Sequence, residues 1–331
     1  MISKGEIYMK KMMKLTAMML TATMILAGCG GGSEDAASGD ATYKVGIVQQ
    51  MEHAALDAAT QGFQDKLTEL LGEDVAFDYQ NAQGEQTNCT TIATKFVSDG
   101  VDLIMANATT ALQSAYAATA DIPIVGTSVT DYVTAGVVDS NEAPGRNVTG
   151  VSDLSSIDAQ IDVLLQFCDD ADKVAIVYCS AEPNSIYQAD LAEKYLQSLN
   201  REYAVYTVAD SNEIQAVLTN AVGECDAVYI PTDNTLANNM EIVKNVTVPA
   251  GVVSFAGAEQ MCLEGALSTL SISYYDLGVK AGEMAYEILV NGADPAEMPI
   301  AFVAEGITPK YNPAIAESLG VTVPEGMTAV E

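Results

Sequence analysis

The chain has no tryptophan and a single histidine, His53, in 331 residues. Lys and Arg together number 14 against 45 Asp and Glu, a formal net charge of −31. Each scarcity excludes something. One histidine leaves little for a Ser-His-Asp arrangement, and no GxSxG elbow, Walker loop or GxGxxG run occurs. Carboxylate pairs exist, as in any acidic chain, but none has distinctive spacing, so the chain is not expected to be an enzyme. There is no CxxC pair and no Cys/His cluster, which argues against a zinc site and leaves no cofactor to expect. The acidic balance argues against nucleic acid or anionic lipid as partners drawn by the general field.

What is present starts at the N-terminus. Lys4, Lys10, Lys11 and Lys14 precede the apolar run Leu15–Leu26, which is too short to span a bilayer as a stable helix. The run ends in Leu26-Ala27-Gly28-Cys29. This resembles the bacterial lipobox, in which small residues fit a peptidase and the cysteine thiol takes a diacylglycerol. The expectation is a signal peptide over 1–28, cleavage before Cys29, and a protein held by lipid alone on the outer face of the cytoplasmic membrane. Residues 29–42, rich in Gly, Ser and Asp, read as a flexible tether. Five further cysteines, Cys89, Cys168, Cys179, Cys225 and Cys262, remain; buried free thiols and one disulfide are both open readings.

From residue 43 onward short apolar runs alternate with helical patterns. Lys44–Val48, Val75–Tyr79, Leu103–Ala106 and Ile122–Val125 read as strands; Ala55–Leu71, Thr87–Ser98 and Ala111–Thr119 read as helices. The series then restarts. Lys173–Val177 echoes Lys44–Val48, Asp226–Ile230 echoes Asp102–Ala106, and Val248-Pro249 echoes Ile122-Pro123, at offsets of 129, 124 and 126 residues. The pattern predicts an α/β protein of two Rossmann-like lobes, each a parallel sheet flanked by helices, joined by a three-stranded hinge. Lobe 1 is assigned 43–150 plus 274–295 and lobe 2 is assigned 151–273 plus 296–331, with crossings near residues 150, 273 and 295.

In open parallel sheets ligands bind beyond the carboxyl ends of the strands. Those ends carry His53; Thr109 and Thr110; Thr130 and Asp131; Asn184 and Ser185; Asp233 and Asn234; and Glu259. Such residues cap the following helices, and the same helix N-termini receive a carboxylate or another acceptor. Asp131, Asp233 or Glu259 is placed to neutralise a ligand ammonium. No lysine or arginine stands in these ends, which disfavours a polyanionic ligand.

The run Gln49-Gln-Met-Glu-His-Ala-Ala-Leu-Asp57 with Gly62-Phe63, then Asn147–Asp153, Pro231–Asn234 and Ile272–Gly278, resembles the ABC-transporter substrate-binding proteins whose better-known members take tryptophan or tyrosine. The resemblance implies a type I periplasmic-binding-protein fold closing on a small solute, an amino acid and preferably an aromatic one. It also implies permease and ATPase partners and a monomeric binder. It places the His53–Asp57 loop (Leu56 included), Thr109, Thr110, Thr130, Asp131, Asn184, Ser185, Asp233, Asn234 and Glu259 at the cleft. Ala54 and Tyr132 stand where that family commonly has proline, which leaves room for a different ligand. Without tryptophan, ring stacking would fall to tyrosine or phenylalanine. The fold also serves nucleoside and sugar binders and ligand-sensing partners of membrane signalling proteins, so those remain alternatives.

Overall fold

A computed structural model describes residues 41–168, 172–303 and 307–331; the signal segment, Cys29 and nearly all of the tether lie outside the described residues. Among the described residues no helix is long and apolar enough to cross a membrane.

The first sheet is built from β1 (Tyr43–Gln49), β2 (Val75–Asn81), β3 (Leu103–Asn107), β4 (Ile124–Val129) and β5 (Val148–Ser152), in the order β2-β1-β3-β4-β5 from one edge. All these pairs are parallel. Helices α1 (Ala54–Leu71), α2 (Gln86–Asp99) and α3 (Thr109–Ala118) connect them. The central strands β1, β3 and β4 are buried along most of their length because helices cover both faces of the sheet, and each carries a short apolar run such as Leu103–Ala106.

The second sheet repeats the plan. After α4 (Ile157–Leu165) come β6 (Lys173–Cys179), α5 (Pro183–Ser198), β7 (Glu202–Val208), α6 (Ile214–Glu224), β8 (Ala227–Ile230), α7 (Asn234–Ala237), α8 (Met240–Ala250), β9 (Val253–Ala256), α9 (Glu259–Glu264) and β10 (Ser268–Ser271). Its strand order, β7-β6-β8-β9-β10, matches that of the first sheet. The duplication reaches single bonds. Asp102 Oδ2 accepts from Lys44 N at 2.7 Å, and Asp226 Oδ2 accepts from Lys173 N at 2.9 Å. The third landmark differs in kind: Pro123 directly precedes β4, whereas Pro249 lies in the last turn of α8.

The chain then returns to the first sheet. Helix α10 (Tyr274–Leu289) packs along α1, and β11 (Ala301–Phe302) pairs with β5. This corrects the expectation that residues 296 onward leave lobe 1. Thr149 Oγ1 donates to Met298 O at 2.8 Å and Ile300 N donates to Asn141 O at 2.8 Å, so the segment stays on the first sheet through Phe302 and covers the open edge of β5. Strand β12 (Thr308–Tyr311) then runs antiparallel to β10, so Lys310 and Tyr311 belong to a strand rather than to the helix α11 (Pro313–Leu319) that follows. A final two-residue strand, β13 (Thr328–Ala329), closes the second sheet beside β12. The crossings lie between Ser152 and Ile157, between Ser271 and Tyr274, and between Phe302 and Thr308.

Helices α1 and α10 approach until their backbones touch. A Cβ built on Gly278 meets Ala59 C at 2.8 Å and Phe63 N at 2.9 Å, and lies closer still to the Ala59 carbonyl oxygen. One on Gly62 meets Tyr275 C and Val279 N at 3.0 Å. Around this crossing Phe63, Leu67, Leu277, Ala281 and Met284 form part of one apolar cluster. Cys89, Cys179, Cys225 and Cys262 are buried free thiols, and Cys168, half-buried, donates from its thiol to Leu164 O at 3.4 Å.

Candidate ligand site

The carboxyl ends of the two sheets face each other across the cleft. On the first sheet the backbone is strained where the cleft begins: Ala108 has φ 89° and Ser128 has φ 55°, left-handed values for residues that bear a Cβ. Ala108 N is held by Thr127 O at 3.0 Å, and α3 starts immediately after it. Thr109 and Thr110 are thus buried in the first turn of a helix aimed at the cleft.

The hinge side carries a buried carboxylate. Asp153 Oδ1 accepts from Thr130 Oγ1 at 3.1 Å and Oδ2 accepts from Tyr274 OH at 2.9 Å. Burial pushes its pKa up against these bonds, and it pushes the Tyr274 phenol up as well. A pocket of about 20 Å³ is bounded by Asp153, Tyr274, Ser128, His53, Leu56, Asn184, Asp233 and Asn234, among others. Ser128 Oγ and Asn184 Oδ1 are buried there without a protein hydrogen-bond partner.

The wall from the second sheet is organised by Glu182. Its Oε2 accepts from Asn234 N at 3.0 Å and from Asn234 Nδ2 at 2.7 Å. Its Oε1 accepts from Thr235 N and Thr235 Oγ1, both at 2.8 Å. Asp233 caps α7 through Leu236 N at 2.8 Å and also accepts from Cys179 N at 2.6 Å. Burial and the neighbouring Glu182 charge push the Asp233 carboxyl up to about 7. A larger cavity of about 470 Å³ opens next to this wall, bordered by Gln50, Met51, Thr110, Gln113, Glu182 and Thr235. No lysine or arginine lines either cavity. Among the described residues no group of His, Cys, Asp and Glu is arranged to hold a metal.

The residues expected at the cleft separate into groups. His53, Leu56, Asn184, Asp233 and Asn234 line the inner pocket and Thr110 lines the outer cavity. Thr130 sits behind Asp153, and Ser185, fully buried, bonds to Asp233. Asp57 is exposed and accepts from Gln49 Nε2 at 2.6 Å. Asp131 accepts from Thr134 N at 2.6 Å, a turn-closing bond. Glu259 is paired with Lys310 at 2.7 Å, a cation supplied by β12 that no strand-end reading would include. Asp153 and Tyr274 are not among the residues expected from the strand ends, and Glu182, inside the strand-end run Cys179–Ser185, is not one of the residues singled out there. Asp153 and Tyr274 do lie inside the runs that carry the family resemblance, and Glu182 stands two residues before Asn184. Tyr132 does not face the cleft. It is fully buried, donates to Val151 O at 3.1 Å, and fills the space left by Gly126 and Gly150, so its place in a cleft loop does not reshape the pocket.

Hydrogen bonds join the lobes directly, among them His53 Nε2 to Asn234 Oδ1 at 3.1 Å and Gln188 Nε2 to Thr130 Oγ1 at 3.4 Å. The cleft is therefore closed.

Comparison with known proteins agrees with this architecture. Residues 44–330 match the ABC transporter substrate-binding protein family. The chain belongs to that family. It is 36% identical over 306 residues to a tyrosine-binding protein of Clostridioides difficile (strain R20291), covering 89% of this chain and 88% of that one. Among solved structures, an ABC domain from Streptococcus pneumonia in complex with L-Trp superposes with a TM-score of 0.83 at 30% identity, covering 87% of this chain and all of that one. The ligand-free, open structure of a substrate-binding protein with adhesive properties from Clostridium difficile is 37% identical and covers 87% of this chain and 99% of that one, yet its TM-score is 0.68. The more similar sequence superposes less well, as a difference in lobe closure produces. The fold is that of type I periplasmic binding proteins.

Proposed function

We propose that this substrate-binding protein takes an amino acid, preferably an aromatic one, and delivers it to an ABC permease from a lipid anchor on Cys29. The observation that carries the reading is Asp153. It is a buried carboxylate with two hydroxyl donors and no cation among the pocket-lining residues. A buried carboxylate without a counter-charge is costly, and a ligand ammonium removes that cost. The inner pocket of about 20 Å³ has room for one water-sized group, which an ammonium is, and the unpartnered Asn184 Oδ1 and Ser128 Oγ add acceptors for its protons. The ligand carboxylate falls to the first turn of α3, and the side chain to the larger cavity. Leu56, Met261 and Tyr274 supply the apolar and aromatic surface beside the head group. Glu182 adds negative potential from the opposite wall, while Glu259, already paired with Lys310, is a weaker partner for the ammonium than Asp153. The names and bound ligand of the relatives support an aromatic side chain.

The test is calorimetric titration of the domain beginning at residue 43 with L-tyrosine, L-tryptophan, tyramine and 3-(4-hydroxyphenyl)propionate. The amino acids are expected to bind, and the propionate, which lacks the ammonium, to bind at least a hundredfold more weakly. Equal affinity for the propionate would remove Asp153 from its role, and binding of a sugar or nucleoside alone would overturn the ligand class. For the anchor, Cys29→Ala should abolish incorporation of labelled fatty acid; continued labelling would place the lipid elsewhere.

A further inference from the structure

We infer that His53 and Asn234 act chiefly as a tie between the lobes, setting how readily the cleft stays shut, rather than as contacts chosen for the ligand. His53 occupies the N-cap position of α1, yet its side chain makes no capping bond. The ring instead reaches Asn234 Oδ1 at 3.1 Å, at the first position of α7 on the other lobe.

The Asn234 side chain is not free to choose its orientation. Its Nδ2 donates to Glu182 Oε2 at 2.7 Å, and its backbone N donates to the same oxygen at 3.0 Å. A carboxylate accepts only, so the amide nitrogen must face Glu182 and Oδ1 must face His53. The imidazole therefore donates from Nε2. Burial holds the His53 pKa below its ordinary value, which favours the neutral ring, and the Asn234 Oδ1 acceptor then calls for its proton on Nε2. Glu182 is buried and fixed by Thr235 as well, so the far end of the tie is rigid. His53 and Asn234 line the inner pocket, while Met51 and Thr235 line the outer cavity, so the tie stands at the boundary between the two. A bond that spans the lobes exists only when they are closed, and its whole free energy therefore acts on the open–closed balance.

The first measurement needs no ligand. Dyes on Thr68→Cys and Asn220→Cys, exposed positions on α1 and α6, report the lobe separation in a background with the native cysteines replaced by serine or alanine. His53→Ala and Asn234→Ala are each expected to lower the closed-to-open ratio three- to tenfold, the worth of one buried hydrogen bond. Together they should do no more than either alone, because each removes the same bond. His53→Gln, which keeps an N–H donor near the Nε2 position, should recover most of the ratio. With L-tyrosine as probe, dissociation should quicken by a similar factor while association changes less than twofold. This last readout rests on the proposed ligand. If L-tyrosine fails to bind, that proposal falls while the ligand-free ratios still decide the tie. The inference is overturned if the single effects multiply in the double variant, if the ligand-free ratio is unchanged in both single variants, or if His53→Gln is as open as His53→Ala. Circular dichroism on each variant separates loss of fold from loss of the tie.

Discussion

Replacing Gly278 with alanine pits two known effects against each other. Intrinsic helix propensity favours alanine over glycine by about 1 kcal/mol in a helix interior, so an isolated α10 would gain. The added Cβ, however, meets Ala59 C at 2.8 Å and Phe63 N at 2.9 Å, with the Ala59 carbonyl oxygen nearer still. Ordinary contacts of this kind are about 3.5–4 Å. The obstructing atoms are backbone atoms of α1, which cannot rotate aside as a side chain would. Overpacking of a tight core costs about 1–3 kcal/mol, and a backbone obstacle puts this case at the upper end. The expected net loss is about 2 kcal/mol, or about 3–4 °C in Tm for a domain of this size. The assay is thermal and urea unfolding of the domain beginning at residue 43, with Gly223→Ala as the internal control. Gly223 lies near the end of α6 with nothing within 4 Å of its added Cβ, so alanine there should raise stability by a few tenths to 1 kcal/mol. Because α10 begins at Tyr274, the displaced helix should also draw the Tyr274 hydroxyl from Asp153 and weaken L-tyrosine binding. A Gly278→Ala protein as stable as its parent, or more so, would refute the close helix crossing.

Three further outcomes follow from the geometry. Tyr132→Phe should cost about 1 kcal/mol for the lost bond to Val151 O and leave ligand affinity unchanged in a titration, whereas an altered affinity would return Tyr132 to the cleft. Lys310→Gln should lower stability by no more than about 1 kcal/mol, since both side chains of the Glu259 pair are partly exposed, and should likewise leave the affinity intact. The Asp233 carboxyl is raised above its ordinary value, so between about pH 4 and 7 the folded state holds more protons than the unfolded state and stability falls as pH rises. Asp233→Asn should flatten that part of the Tm–pH curve, and parallel curves for the two proteins would contradict the raised carboxyl.

The duplicated α/β plan is legible in the sequence because it is written in local terms. Each first strand carries at or next to its start a lysine whose backbone N–H meets an aspartate that precedes a later strand, and the pair recurs as Lys44–Asp102 and Lys173–Asp226. What is not legible depends on distant segments. A proline near a strand looks alike whether it ends a helix, as Pro249 does, or opens a strand, as Pro123 does. The placement of β11 depends on which sheet edge is open, which the two-residue strand itself does not reveal. At the site, the strand-end rule finds His53, Asn184, Asp233 and Asn234 because helix caps and cleft contacts share residue types. It passes over Asp153 and Tyr274, which lie at crossovers, and it takes in Glu182 without its role, which appears only when Asn234 and Thr235 are folded against it. Lys310 shows the same limit from the other side, since a charge absent from every strand end arrives from the far end of the chain.

The return of the chain to its first sheet bears on how the protein is made. Helix α10 and strand β11, which cover α1 and the edge of β5, are encoded after the whole parallel core of the second sheet. A chain emerging from the N-terminus therefore completes its earlier lobe only after most of the later one exists. Until Leu277 and Ala281 arrive, Phe63 and Leu67 on α1 have no partner helix over them. The lobe begun first stays incomplete until α10 is in place, and a chain cut before residue 274 loses a wall of both lobes rather than one.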